Sequence, residues 1–178
     1  MTMSTHKTLF GPQGGLVLAF ENNAEAIKKA TFPGLTSSHH IHHMAAKAIT
    51  FAEALEFGKD YADQTVKNAK ALAVALNDLG FKVLGEKKGF TQSHQTVVNV
   101  LEYADGGKIE ADLEKANIIV NRQLIPGDIK AKRHYMHPGG IRLGSSEVTR
   151  LGMKESEMQQ IASFIKHCLL YTSPSPRD

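Results

Sequence analysis

A chain of 178 residues, 42% of them hydrophobic, is long enough for a globular domain and has the apolar content to bury a core. The formal charge of +3 is small and the Lys and Arg residues are dispersed, with no basic run interleaved with aromatics, so nucleic-acid binding is not supported. No apolar stretch approaches the roughly 20 residues needed to cross a bilayer, and no secretory leader can be read between Met1 and Phe20; a soluble, cytoplasmic protein is the expectation.

In chain order, Leu16–Phe20 is a continuous apolar run and predicts a buried strand. Asn22 or Asn23 can cap a short helix through Lys29, and Phe32-Pro33-Gly34 ends it in a turn. Apolar residues at helical spacing predict a helix from about His40 to Phe57. After Gly58 they predict a second, carrying Tyr61, Thr65, Ala69, Leu72, Leu76 and Leu79 and stopped by Gly80. The pattern then switches to strands at Phe81–Leu84 and Thr96–Leu101. Ile109, Leu113 and Ala116 mark a helix, and Asn117 leads into a short strand at Ile118–Val120. Leu124 to Gly140, rich in glycine, proline and histidine, predicts an irregular loop. Ile141–Gly144 predicts a strand, and Met158, Ile161 and Ile165 the last helix. Strands alternating with helices mean α/β or α+β layers in which helices cover a sheet.

Two positions can carry chemistry. Lys7 stands in the run Ser4-Thr5-His6-Lys7-Thr8, followed by Gly11-Pro12-Gln13-Gly14-Gly15, which predicts a glycine-rich turn before the apolar strand. A lysine held beside hydroxyls and an imidazole can form a Schiff base with a carbonyl, though a bare His-Lys-Thr more often belongs to a solvated loop. Arg142 lies in an otherwise apolar strand, where a guanidinium can grip a carboxylate through two parallel bonds or serve as a strand-edge charge. His39, His40, His42 and His43 form a conspicuous cluster; on a helix His39 and His43 would share a face. No Glu lies between them and no Cys or Asp follows at ligand spacing, so no metal is expected there. Glu53, Glu56, Asp60 and Asp63 fall on consecutive helical turns and read as a solvated face.

The longer strings resemble a known family. Ser4-Thr5-His6-Lys7-Thr8 with the Gly-Pro-x-Gly-Gly sequel resembles the pyridoxal-phosphate lysine segment of the serine hydroxymethyltransferases. Phe32-Pro33-Gly34-Leu35, Ala45-Ala46-Lys47-Ala48, Val66–Ala73 and Gly140-Ile141-Arg142-Leu143-Gly144 with Thr149-Arg150 are similar to later segments of that family, in the same order. The resemblance runs from Ser4 to about Ile165. It implies an α/β protein of the fold-type I pyridoxal-phosphate class: residues 1–57 as a remnant of the large cofactor domain and 58–167 as a small C-terminal α+β domain. Residues 168–178 break the pattern, resemble a translated sequencing adaptor, and are expected to be a disordered, non-native tail. Met1 stands where the family usually has valine, so the reading frame is expected to open inside a longer one.

By the same resemblance Lys7 is the Schiff-base lysine, and Ser4, Thr5 and His6 line the cofactor site. Ser37 and Ser38 stand where many members have two glycines that reach the partner subunit's cofactor phosphate in a homodimer. Arg142 binds the carboxylate of serine or glycine. The reaction implied is the interconversion of serine and glycine, with transfer of a one-carbon unit to tetrahydrofolate. Ser37-Ser38 and the histidine cluster are more similar to the archaeal branch, where a methanopterin-type acceptor is the alternative. The family's acidic partner of the pyridine nitrogen, its ring-stacking histidine, its main phosphate loop and its catalytic glutamate all precede Lys7. The chain alone is therefore expected to be inactive. Two other readings stay open: another fold-type I pyridoxal-phosphate enzyme (an aminotransferase or an aldolase of β-hydroxy amino acids), or a non-enzymatic domain whose histidines bind a metal or a partner.

Overall fold

The computed structural model describes residues 1–172. The chain divides into two compact units, Met1–Lys59 and a second from Asp60 onward.

In the first unit β1 (Thr2–His6) and β2 (Phe10–Val17) pair antiparallel, Met3 opposite Leu16 and Ser4 opposite Gly15, with an irregularity between Ser4 and His6. The expected strand at Leu16–Phe20 thus lies earlier, and the glycine-rich run expected as a turn is itself strand. Its glycines serve close approach: a Cβ on Gly11 would lie 2.8 Å from the Thr5 carbonyl oxygen and 3.1 Å from the Thr50 side chain. A short helical turn at Glu21–Asn23 leads into α1 (Ala24–Lys29). The helix α2 (Ile41–Asp78) follows and is continuous for 38 residues. The break expected at Gly58 does not occur. Glycine costs a helix interior only about 1 kcal/mol, which the turns on either side can carry.

The second unit is built on an antiparallel sheet of order β3-β4-β6-β5, formed by β3 (Lys82–Val83), β4 (Gln95–Asn99), β5 (Asn121–Gln123) and β6 (Gly140–Gly144). Period-two alternation decides its faces. Thr96, Val98, Ile141 and Leu143 are buried, whereas Gln95, Val97 and Arg142 are half-exposed on the other face. The buried face packs with Leu72, Ala73 and Leu76 of α2, Ile109 and Leu113 of α3 (Gly106–Lys115), and Met158, Ala162 and Ile165 of α5 (Glu155–Thr172) in one core. Asp105 caps α3, its carboxylate accepting from the N–H groups of Gly107 and Lys108 at 2.9 and 3.1 Å. The short α4 (Ser146–Arg150) follows β6.

Two further boundaries differ from the sequence reading by three residues or more. Asn117 ends α3 in the left-handed region, where the Ile118 N–H returns to the Leu113 carbonyl at 3.0 Å; residues 118–120 leave the helix and the strand begins at Asn121. The tail expected to be disordered from Cys168 is helical through Thr172, because Leu169 continues the apolar stripe of α5 and is buried in the core. The remainder of that tail lies outside the described residues. The first unit has no such core: among the described residues every buried hydrophobic side chain belongs to the second unit, and the first buries only Thr5 and Thr50. No helix among the described residues is long and apolar enough to cross a membrane.

Candidate functional site

Lys7 sits at the tip of the β1–β2 hairpin with its side chain exposed. Directly beneath it Thr5 is fully buried, and its hydroxyl donates to the Pro12 carbonyl at 2.7 Å, locking the two strands together below the lysine. His6 is exposed, and its Nδ1 accepts a long hydrogen bond, 3.4 Å, from the Gly14 N–H. That contact places the proton of a neutral imidazole on Nε2. Gly14 takes φ +150°, and a side chain there would run into the ammonium of Lys47 on α2. Ser4, half-buried and opposite Gly15, completes the strand. The structure therefore brings Ser4, Thr5, His6 and Lys7 together on a pinned hairpin. Ser37 and Ser38 lie in the irregular segment before α2 and are exposed; among the described residues no hydrogen bond links them to that hairpin.

The histidine cluster straddles the start of α2, with His40 before it and His42 and His43 inside, so His39 and His43 do not share a helical face as the spacing suggested. The rings of His42 and His43 have centroids 4.4 Å apart, and His40 lies 5.5 and 5.4 Å from them. Partial loss of water, then the neighbouring His42, His40 and Lys47, lowers the pKa of His43 below its ordinary value. Among the described residues no group of three His, Cys, Asp or Glu side chains is disposed to hold a metal ion.

Arg142 belongs to the second unit. On β6 it lies between Val97 of β4 and Asn121 of β5. One guanidinium nitrogen donates to the Asn121 side-chain oxygen at 3.4 Å. A long donor–acceptor distance on a half-exposed guanidinium leaves most of its fork open to an anion.

Elsewhere in the second unit lie residues that sequence reasoning missed. Asp128, 3% exposed, ties together the two ends of the 124–139 loop. Asn68 is fully buried and donates to the Thr149 hydroxyl and the Met153 carbonyl, both at 2.8 Å, while accepting from Gln64 at 2.9 Å. The Ser145 hydroxyl, just past β6, donates to the Thr65 carbonyl at 2.8 Å, and the Thr149 hydroxyl donates to the Ser145 carbonyl at 2.7 Å. The Pro126-Gly127-Asp128 turn was the one available signal for Asp128. For Asn68 there was none.

Lys7 in the first unit is an exposed primary amine, which can meet a carbonyl, and Arg142 in the second is a half-exposed guanidinium, which can meet an anion. Comparison with known proteins narrows this. The serine hydroxymethyltransferase family pattern matches residues 1–165. Over 170 residues the chain is 78% identical to a serine hydroxymethyltransferase of Nitrosopumilus maritimus (strain SCM1), covering 96% of this chain and 39% of the relative. The enzyme of the same name from Cenarchaeum symbiosum (strain A) is 76% identical, with 95% and 38% covered. That from Pyrococcus furiosus is 52% identical, with 96% and 41% covered. The chain belongs to the serine hydroxymethyltransferase family, a family of fold-type I pyridoxal-phosphate enzymes, and spans about two fifths of the length of these curated relatives.

Proposed function

We propose that these residues are part of a pyridoxal-phosphate-dependent serine hydroxymethyltransferase, which interconverts serine and glycine and passes a one-carbon unit to tetrahydrofolate or a methanopterin-type acceptor. The observation that carries the reading is the Lys7 hairpin: an exposed amine above a fully buried Thr5, on strands held by Gly11 and Gly14. The residues present fit the cofactor. The Lys7 amine can reach a carbonyl carbon, and the His6 Nε2 proton is free to donate to an acceptor on the group. Ser37 and Ser38 are exposed and small enough to offer N–H and O–H donors to a phosphate. Bound pyridoxal phosphate would draw off the electron pair of the bond broken at the substrate's α-carbon.

This chain supplies holding and proton handling. Lys7 accepts and returns a proton at Nζ. Thr5 keeps the tip of the hairpin from moving, its hydroxyl being committed to Pro12. Arg142 grips the substrate carboxylate, with Asn121 steadying one edge of the guanidinium. A cytoplasmic homodimer, with Ser37 and Ser38 facing the partner's cofactor, belongs to the same reading.

The test joins residues 1–172 to the part of the Nitrosopumilus maritimus relative that they do not cover. The joined protein should form glycine from serine only when a reduced pterin acceptor is present. Lys7→Ala should lower the rate about 100-fold or more, as loss of a positioned proton carrier does. Full activity without the acceptor, or with Lys7→Ala, overturns the reading. The 178-residue chain alone, given pyridoxal phosphate and serine, should form no glycine.

A further inference from the structure

Arg142 is only as well placed as the strand that carries it, and that strand begins at the end of a sixteen-residue excursion, residues 124–139. Such a loop does not set its own register. Asp128 does. One oxygen of its carboxylate, Oδ2, accepts from the N–H of Ile125 at 3.0 Å and from the N–H of Gly139 at 2.7 Å. Gly139 immediately precedes β6 and Ile125 lies two residues past β5, next to the pair in which Gln123 faces Gly140. The other oxygen lies 3.5 Å from Nε of Arg133 within the loop. The carboxylate is 3% exposed, so its bonds are not shared with water. Gly139 is required for the contact, because a Cβ there would stand 2.7 Å from Oδ1 and 3.0 Å from the Ile125 side chain. From the clasp, Gly139 gives its carbonyl to the Val100 N–H at 3.0 Å, and the next residues enter β6 with Arg142 opposite Asn121.

We propose that Asp128 is a positioning residue for Arg142: its carboxylate fixes β5 against β6 so that Asn121 holds the guanidinium where a substrate carboxylate is received. The inference rests on the reading of Arg142 given above. A shift of β6 by one residue would carry Arg142 to the buried face of the sheet, and even a partial slip would part it from Asn121. Asp128 itself touches neither substrate nor cofactor in this account.

The experiment uses the joined full-length protein described above. Asp128→Ala should raise the KM for serine about 10- to 100-fold, the scale on which displacement of a binding group by about 1 Å is felt, with the KM for the pterin and the bound pyridoxal phosphate unchanged. Asn121→Ala, at an exposed position, should raise the serine KM in the same direction by a smaller factor. Gly139→Ala, which wedges the clasp open, should match Asp128→Ala. If Asp128→Ala is insoluble, Asn121→Ala and Gly139→Ala carry the comparison. An unchanged serine KM in these variants overturns the proposal. So does a loss in which the KM values for serine and pterin both rise while cofactor content and unfolding stability fall, the signature of a merely structural role. An unaltered serine KM in Arg142→Lys would overturn the assignment of Arg142 itself, and the clasp with it.

Discussion

Asn68 shows how far a single side chain can matter without touching any ligand. It carries no charge, yet it lies fully buried with its two amide hydrogens on Thr149 and Met153 and its oxygen on Gln64. Removing it strands the buried Thr149 hydroxyl and the half-buried Met153 carbonyl. Asn68→Ala should lower the unfolding free energy by about 1–3 kcal/mol, the usual cost of unsatisfied buried partners. A urea titration of the second unit's transition checks this, and an unchanged midpoint refutes it. Asp112 makes the matching argument for charge. Its side chain is 8% exposed, with Lys108 at 2.6 Å and Lys115 at 3.0 Å. The bond from Lys108 lowers its pKa most, burial opposes, and Lys115 adds to the lowering. A carboxyl whose folded pKa lies below its unfolded value stabilises at pH above the ordinary carboxylate range, and that contribution is lost as pH falls through the folded pKa. Asp112→Asn should therefore cost about 1 kcal/mol at pH 7, the two lysines being exposed and screened, and the difference from the unsubstituted chain should close as pH falls below the ordinary carboxylate range. A difference that persists into acid would mean that packing, not charge, holds α3. Lys7 and Arg142 could be singled out in the sequence because each sits in a contiguous string. Asp128 and Asn68 could not, because their partners Gly139 and Thr149 lie 11 and 81 residues away and only the fold brings them close.

At the scale of elements, apolar spacing found α3, α5, β4 and β6 to within a few residues, since each buries one face on a core. It failed at glycines. Gly58 predicted a helix break, yet α2 passes through it, and a Cβ there would meet only the Ala54 Cβ at an ordinary 3.6 Å. Gly11 and Gly14 predicted a turn, yet they lie in β2, where a Cβ on Gly11 would meet the Thr5 carbonyl oxygen and the Thr50 side chain. A glycine reads alike in sequence whether it ends an element or lets a neighbour approach. The two cases separate on substitution. Gly58→Ala should stabilise α2 by about 0.5–1 kcal/mol, visible as higher helical ellipticity and a later melt. Gly14→Ala should loosen the hairpin, since the backbone there is held at φ +150°, which a side chain rarely adopts; the Lys47 ammonium it would meet can swing away. A Gly58→Ala protein that melts earlier would mean that the helix does bend there.

For the whole molecule, the imbalance between the two units decides how it comes apart. The second unit buries Leu72, Leu76, Val98, Ile141, Met158 and Ile165 in one cluster, and each such side chain stabilises by about 1.5–3 kcal/mol when fully buried. In the first unit no hydrophobic side chain is buried, and Phe20, Leu35 and Leu55 are 84%, 87% and 90% exposed. Its order rests on backbone pairing and two buried threonines. Hydrogen bonds of that kind contribute about 0.5–1.5 kcal/mol each, so local opening there is far cheaper than opening the second unit. Brief trypsin digestion of the chain should therefore cut at Lys28, Lys29, Lys47 and Lys59 well before Lys70, Lys108 or Lys115, leaving a resistant product that begins at Asp60. Mass spectrometry of the time course reads the order directly. Cuts appearing at Lys70 or Lys108 as early as those at Lys47 would show that the core of the second unit does not hold independently of the residues before it.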